Sequence, residues 1–150
     1  MTDYLVLEWM NPRPITISPK TTLTEAHRLM TECHIRRLPV VEDNKLVGIV
    51  TSGDLREAAP SVTTSLSMLE LNVLLDKVTV DRIMKRDVIT VAPKSRIREA
   101  ARIMLFKKIS GLPVIDGGKL VGIITESDIF RMLVREMDGR VEGLRTGIKG

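Results

Sequence analysis

Apolar and polar positions along this chain follow two rhythms, and each rhythm occurs twice. Leu23, Ala26, Met30 and Cys33 recur at helical spacing and predict one buried helical face. Ile97, Ala100 and Met104 repeat that stripe further along. After the first stripe come two apolar runs, Leu38 to Val41 and Leu46 to Thr51, which read as strands. Asp43-Asn44 separates them, and Gly117-Gly118 occupies the same place in the later copy. Gly-Gly is a hairpin signal because both turn positions can take positive φ. A short strand is expected ahead of each helix, at Ile15 to Ile17 and at Val88 to Val91, stopped by Pro19 or Pro93. Thr21 and Ser95 are the expected N-caps, with Glu25 and Glu99 in the first turn. A closing helix starts near Gly53 and Ser127, and short lead-in helices are predicted at Tyr4 to Met10 and Val78 to Met84.

A shift of 74 positions (84 minus 10) lays Met10 on Met84 and holds register without a gap to Arg56 and Phe130. Leu38-Pro39-Val40 falls on Leu112-Pro113-Val114, and Lys45-Leu46-Val47-Gly48-Ile49 on Lys119-Leu120-Val121-Gly122-Ile123. The chain is therefore read as two tandem β-α-β-β-α repeats, an α+β (mixed α/β) fold. One copy is too small to bury its sheet well, so the two are expected to pack about a pseudo-two-fold axis. The expected organisation is repeat 1 over residues 3–57, a connecting segment over 58–76, repeat 2 over 77–137 and a basic tail over 138–150. A connecting helix is expected through Leu66, Leu69, Leu71, Leu74 and Leu75.

Composition narrows the class. With only Trp9, Tyr4, Phe106 and Phe130 as aromatics, the core must be built from Leu, Ile, Val and Met. The net charge of +4 is compatible with anionic partners, from small phosphates to nucleic acid. Cys33, the single cysteine, cannot form an intramolecular disulfide and is expected in the core. The start of the chain lacks a signal-peptide pattern, and no apolar run approaches the length of a membrane span. A soluble cytoplasmic protein with no membrane association is expected.

The candidate chemistry lies in Gly48-Ile49-Val50-Thr51-Ser52-Gly53-Asp54 and its echo Gly122-Ile123-Ile124-Thr125-Glu126-Ser127-Asp128. A strand ends at the Thr and a helix starts just after it. That brings a hydroxyl, free backbone N–H groups and a carboxylate into one small volume. Helix N-termini favour phosphate, and a carboxylate can accept from both hydroxyls of a ribose. Thr-x-x-Asp is also a capping box, needed only to satisfy orphan N–H groups. The spacing alone leaves both readings open, and duplication preserves caps as readily as sites. Other chemistries lack their residues: His27 and His34 have no metal-ligand partners at suitable spacing, and there is no Walker loop or Ser/His/Asp arrangement.

Both copies resemble CBS domains, the family named after cystathionine β-synthase. The resemblance rests on the Met-x5-Thr-Val/Ile start, the Arg-Leu-Pro-Val-Val and Gly-Leu-Pro-Val-Ile strands, and the Gly-Ile-x-Thr-x-x-Asp ends, from about Asp3 to Met137. The connector is similar to that of bacterial acetoin-utilisation proteins of the AcuB type, which often carry a further C-terminal domain. This chain would then be a shorter relative or a piece of one.

The resemblance implies a regulatory module, not an enzyme, with clefts between the repeats that bind AMP, ADP, ATP or S-adenosylmethionine. It requires no cofactor. It implies that Asp54 and Asp128 hold the ribose, with Thr51 and Thr125 against ribose or phosphate and Ser127 beside them. Thr16 and Thr90 on the first strand, with Leu38-Pro39 and Leu112-Pro113, would line the adenine pocket. Just before these prolines the copies differ: Arg36-Arg37 in the first, Ser110-Gly111 in the second. Adjacent guanidinium groups offer bidentate donors to phosphate, so the two sites should not be equivalent. The family pairs side by side, and Ile129, Phe130, Leu133 and Met137 are the expected homodimer face, near Leu66 to Leu75. A regulated protein partner is implied but not named. The rival readings are an assembly module with vestigial sites and nucleic-acid binding through the basic C-terminal helix; nucleic acid is the less expected partner.

Overall fold

The computed structural model describes residues 2–58, 70, 73 and 75–147, with side chains described to residue 139. The connecting helix expected through Leu66, Leu69, Leu71 and Leu74 falls outside the described residues. The described elements are α1 (Val6–Trp9), α2 (Leu23–Cys33), β1 (Arg37–Glu42), β2 (Lys45–Thr51), α3 (Ser52–Ala58), a 3-10 turn at Val80–Arg82, α4 (Ile97–Lys107), β3 (Gly111–Asp116), β4 (Lys119–Thr125) and α5 (Glu126–Gly147). The fold is mixed α/β, as the two rhythms require.

The chain divides into two compact bodies. The first-copy body holds residues 14–89 together with 117–120, where Lys119 pairs antiparallel with Lys45. Its core is Ile17, Leu23, Ala26, Met30, Leu38, Val40, Val50 and Leu55, closed by Val80 and Met84. The second-copy body holds residues 1–13, 90–116 and those from 121 onward. Its core repeats the same positions, from Val91 and Ile97 through Leu112, Val114 and Ile124, and is closed by Val6.

The lead-in segments are thus exchanged: each packs with the other copy. Val80 donates to the Thr21 carbonyl (2.8 Å) and Leu23 to Val78 (2.9 Å) in the first-copy body. In the second, Val6 donates to the Ser95 carbonyl (2.8 Å) and Ile97 to Tyr4 (2.9 Å), the same bonds displaced by one repeat. Val6 and Val80 are both fully buried, and each burial stabilises its body by about 1.5–3 kcal/mol. In the second-copy body Trp9 adds an edge-on contact with Tyr4 and receives the Arg135 guanidinium over its ring, each at 5.7 Å. Tyr4 and Thr2 also hydrogen-bond the Glu136 side chain, and these bonds hold its carboxyl below the ordinary range.

Local chemistry explains several boundaries. The hairpin residues Asp43, Asn44, Gly117 and Gly118 all have positive φ, which a right-twisted two-residue turn requires. The first strand of each copy shrinks to one parallel bridge, Ile17 to Val40 and Val91 to Val114. Pro14 and Pro19 bracket the first of these bridges and cannot donate to a longer ladder. The helix caps sit one residue later than expected. Thr22 accepts from the Glu25 N–H, whereas Thr21 accepts from the Ser18 N–H and Ser95 from the Ala92 N–H, closing the turns before the helices. Cys33 is exposed, not in the core. It is the last residue of α2, and His34 turns the chain left-handed at φ 53, so that Ile35 packs against the core instead. Ile129 and Leu133 pack on their own body's core, leaving Phe130, Val134 and Met137 exposed on α5.

Candidate functional site: paired threonine–aspartate corners

In each copy a strand runs into a helix without a loop, and the Thr and Asp meet at that corner. In the first-copy body Thr51 ends β2 and Ser52 starts α3. The Thr51 N–H donates to Asp54 Oδ2 (2.9 Å), and the Asp54 N–H donates to Thr51 Oγ1 (3.2 Å). This reciprocal pair is a capping box, and it fixes the carboxylate at the helix start. The second oxygen, Oδ1, lies 3.6 Å from Lys85 Nζ. Lys85 comes from the exchanged lead-in, where its main chain exchanges both hydrogen bonds with Ile49 (2.9 and 3.0 Å). Gly48 admits that approach: a Cβ there would lie 2.6 Å from Met84 Sδ and 3.0 Å from the Lys85 carbonyl.

In the second-copy body the Thr125 N–H donates to Asp128 Oδ2 (2.9 Å), and here the Thr125 hydroxyl donates to the same oxygen (3.1 Å). Arg131, one turn further along α5, donates to Asp128 Oδ1 at 2.8 Å. Asn11 takes the place of Lys85, pinned to Ile123 by the same two main-chain bonds (2.8 and 3.0 Å). Its side-chain oxygen accepts from the Arg13 N–H (3.0 Å). Among the described residues each carboxylate therefore has one cation, from a different part of the chain.

The other expected site residues gather around the same corners. The Ser52 N–H donates to the Arg36 carbonyl (2.8 Å), which ties Arg36-Arg37 to the start of α3. Glu126 donates likewise to Ser110 (3.0 Å), which places Ser110-Gly111 at the start of α5. The Pro39 carbonyl accepts from Ile17 and the Pro113 carbonyl from Val91 (3.1 Å each), so Thr16 and Thr90 lie next to the Leu-Pro strands. Thr16, Thr90 and Ser127 are exposed. Leu38, Pro39, Leu112 and Pro113 are fully buried, so their side chains belong to the core.

Sequence reasoning missed Lys85 and Arg131. Arg131 carried a signal, since three residues after Asp128 is ion-pair spacing on a helix. Lys85 carried none without the exchange. Among the described residues no group of acidic, His or Cys side chains could hold a metal ion, and no helix is long and apolar enough to cross a membrane.

Known proteins share this sequence pattern and fold. The CBS domain model matches twice, over residues 6–61 and 80–135. The chain is similar to the acetoin-utilisation protein AcuB of Vibrio cholerae, with 33% identity and a TM-score of 0.79 over 94% of this chain and 98% of that one. It is similar to the CBS domain pair of protein MJ0100, solved with 5′-methylthioadenosine and S-adenosyl-L-methionine (31%, TM-score 0.74, 90% and 99% covered). It is also similar to CBSX2 of Arabidopsis thaliana, solved in complex with AMP (30%, TM-score 0.75, 89% and 98% covered). Relatives named as enzymes are far longer: the chain spans only 21% of the inosine-5′-monophosphate dehydrogenase of Korarchaeum cryptofilum, at 42% identity. With a match on each repeat and this agreement along nearly its whole length, the chain belongs to the CBS-domain family.

Proposed function

We propose that this chain is a regulatory module that binds an adenine nucleotide (AMP, ADP or ATP) or S-adenosylmethionine, one site in each body, and catalyses nothing itself. The observation that carries this reading is the doubled corner: a carboxylate fixed by a main-chain N–H, beside a Thr and a helix start. Asp54 and Asp128 accept from the ribose hydroxyls, and Thr51, Thr125 and Ser127 serve ribose or phosphate. Backbone near Thr16, Leu38-Pro39, Thr90 and Leu112-Pro113 meets the adenine. Arg36 and Arg37 serve phosphate at the first site, and Ser110-Gly111 offers only a hydroxyl and N–H at the second. The ligands held by the MJ0100 pair and by CBSX2 support the adenosyl class. Regulation then needs only different affinities for two conformations of the module or of its cytoplasmic partner.

A thermal-shift series with AMP, ADP, ATP and S-adenosylmethionine at millimolar concentration tests the reading. A ligand at a hundred times its Kd adds about 2.7 kcal/mol, which raises Tm by several degrees in a chain of this size. No shift with any of the four would defeat it.

A second copy of the chain is the proposed protein partner. Leu105, Phe106, Phe130, Val134 and Met137 are exposed on α4 and α5, which pack together. Apolar surface of this kind on a monomer is a liability that a two-fold pair removes.

A further inference from the structure

We propose that Lys85 is a specificity-determining residue of the first-copy site, one that makes this site, and not the second, select a phosphorylated adenosyl ligand. The inference rests on the ligand reading above and extends it to a residue outside both Thr–Asp motifs.

The geometry sets Lys85 apart from an ordinary surface lysine. Its main chain is held on both sides by Ile49, so the root of the side chain cannot drift. Its side chain is 69% exposed, whereas that of Asp54 is 10% exposed. At 3.6 Å the ammonium is close enough to neutralise Oδ1 but longer than a tight charge-assisted bond. Oδ2 already accepts from the Thr51 N–H, which leaves Oδ1 the freer oxygen for a ribose hydroxyl. Lys85 then has to yield. A lysine ammonium on a flexible four-carbon stem can turn from the carboxylate to an incoming phosphate while its backbone stays pinned. The exchange keeps every charge partnered: ribose on Asp54, phosphate on Lys85. With a nucleoside that lacks phosphate, Lys85 gives up the carboxylate and gains nothing.

The second-copy site has no cation at the equivalent pinned position. Asn11 stands at the same pinned position and its side-chain oxygen is engaged by Arg13. Asp128 is held instead by Arg131 at 2.8 Å on its own helix.

The test is calorimetric titration of the whole chain, as wild type, Lys85→Met, Lys85→Arg and Asn11→Lys, with AMP and with adenosine. Methionine keeps most of the apolar stem and removes the charge. Lys85→Met should weaken AMP about tenfold, the loss of one charge-assisted hydrogen bond. Adenosine should bind equally well or better, since no ion pair has to open. Lys85→Arg should restore the preference for AMP, and Asn11→Lys should raise AMP over adenosine at the second site. An AMP-to-adenosine ratio unchanged in Lys85→Met, or an equal loss for both ligands, would overturn the inference while leaving the ligand reading intact. The wild-type chain is titrated with ADP, ATP and S-adenosylmethionine as well, and binding of none of these, nor of AMP or adenosine, would overturn both.

Discussion

The two corners share their residues and differ in their wiring. Thr51 accepts a hydrogen bond from the Asp54 N–H, whereas Thr125 donates its hydroxyl to Asp128. Asp54 is neutralised from the exchanged lead-in and Asp128 from its own helix. The outer helix faces differ as well. Thr31, Glu32 and Arg56 in the first copy correspond to Leu105, Phe106 and Phe130 in the second. Arg28 in the first copy is bound by both Glu25 and Glu32, so that face is an ion-pair lattice suited to water. Duplication kept the core and the Thr–Asp backbone geometry, where any change costs stability. The outer faces and the cations diverged, because an exposed position is free to acquire a role.

The largest effect expected from this contrast is on self-association. If the apolar face of α4 and α5 covers a second copy, Phe130→Glu removes an aromatic anchor and places a charge in the contact. Such anchors are worth about 2 kcal/mol or more, so the dimer Kd should rise at least about thirtyfold. Arg56→Glu, the same position in the first copy, should leave it unchanged. Light scattering over a dilution series reads both. A chain that is monomeric before mutation at tens of micromolar, or an equal response of the two variants, breaks the comparison.

A smaller effect is expected where the lead-ins dock. At Gly122 a Cβ would lie 2.6 Å from Met10 Sδ and 2.8 Å from the Asn11 carbonyl. At Gly48 the backbone carbonyl is a little further, at 3.0 Å, and the nearest atom is again a flexible Met side chain. Overpacking costs about 1–3 kcal/mol, and each kcal/mol lowers Tm by about 2–4 °C at this length. Gly122→Ala should therefore melt lower than Gly48→Ala. Gly48→Ala should also shift Lys85 and so narrow the preference for AMP over adenosine. Equal Tm losses with unchanged ligand preference would mean that the two glycines do no more than permit packing.

These glycines also mark the boundary of what the sequence discloses. The repeat, the βαββα order and the two-residue turns follow from periodicity and turn chemistry, because each is decided by neighbouring residues. The exchange of lead-ins is not. Apolar Val6 and Val80 announce that they are buried, but two repeats with matching core positions offer them similar surfaces, and pattern cannot say which one is used. Lys85 was invisible for the same reason: its partner Asp54 belongs to the other copy. The first-copy cap falls one residue beyond Thr21 because Thr21 and Thr22 are adjacent hydroxyls and either could serve, whereas in the second copy Arg96 holds the cap position with no side-chain cap bond. Cys33 continues the helical stripe of Met30, but it is the last residue of α2, and beyond the left-handed His34 it is Ile35 that packs against the core.

The smallest difference expected between the copies, that between the two aspartate variants in stability, is the most discriminating, because it separates a ribose carboxylate from a helix cap. Without ligand, Asp128→Ala removes the acceptor of the Thr125 N–H and of the Thr125 hydroxyl, as well as the partner of Arg131. Hydrogen bonds to a charged group contribute about 1.5–3 kcal/mol, and the exposed Arg131 pair adds little to that. Asp54→Ala removes the acceptor of the Thr51 N–H and the long Lys85 contact, while Thr51 Oγ1 still caps the helix N–H at position 54. Its cost should be nearer 1 kcal/mol, that of a cap residue, because the exposed Lys85 pair is also weak. Melting curves should therefore place Asp128→Ala below Asp54→Ala by a few degrees. Affinity should follow a different order. Each variant should lose at least tenfold at its own site, and Asp54→Ala alone should flatten the salt dependence of AMP binding if, as proposed, Lys85, Arg36 and Arg37 serve phosphate at the first site. Titration with AMP at two salt concentrations beside the unliganded melting curves reads both quantities. Stability losses in this order with unchanged affinity would make the aspartates caps and nothing more, and the difference between the corners would then be one of folding alone.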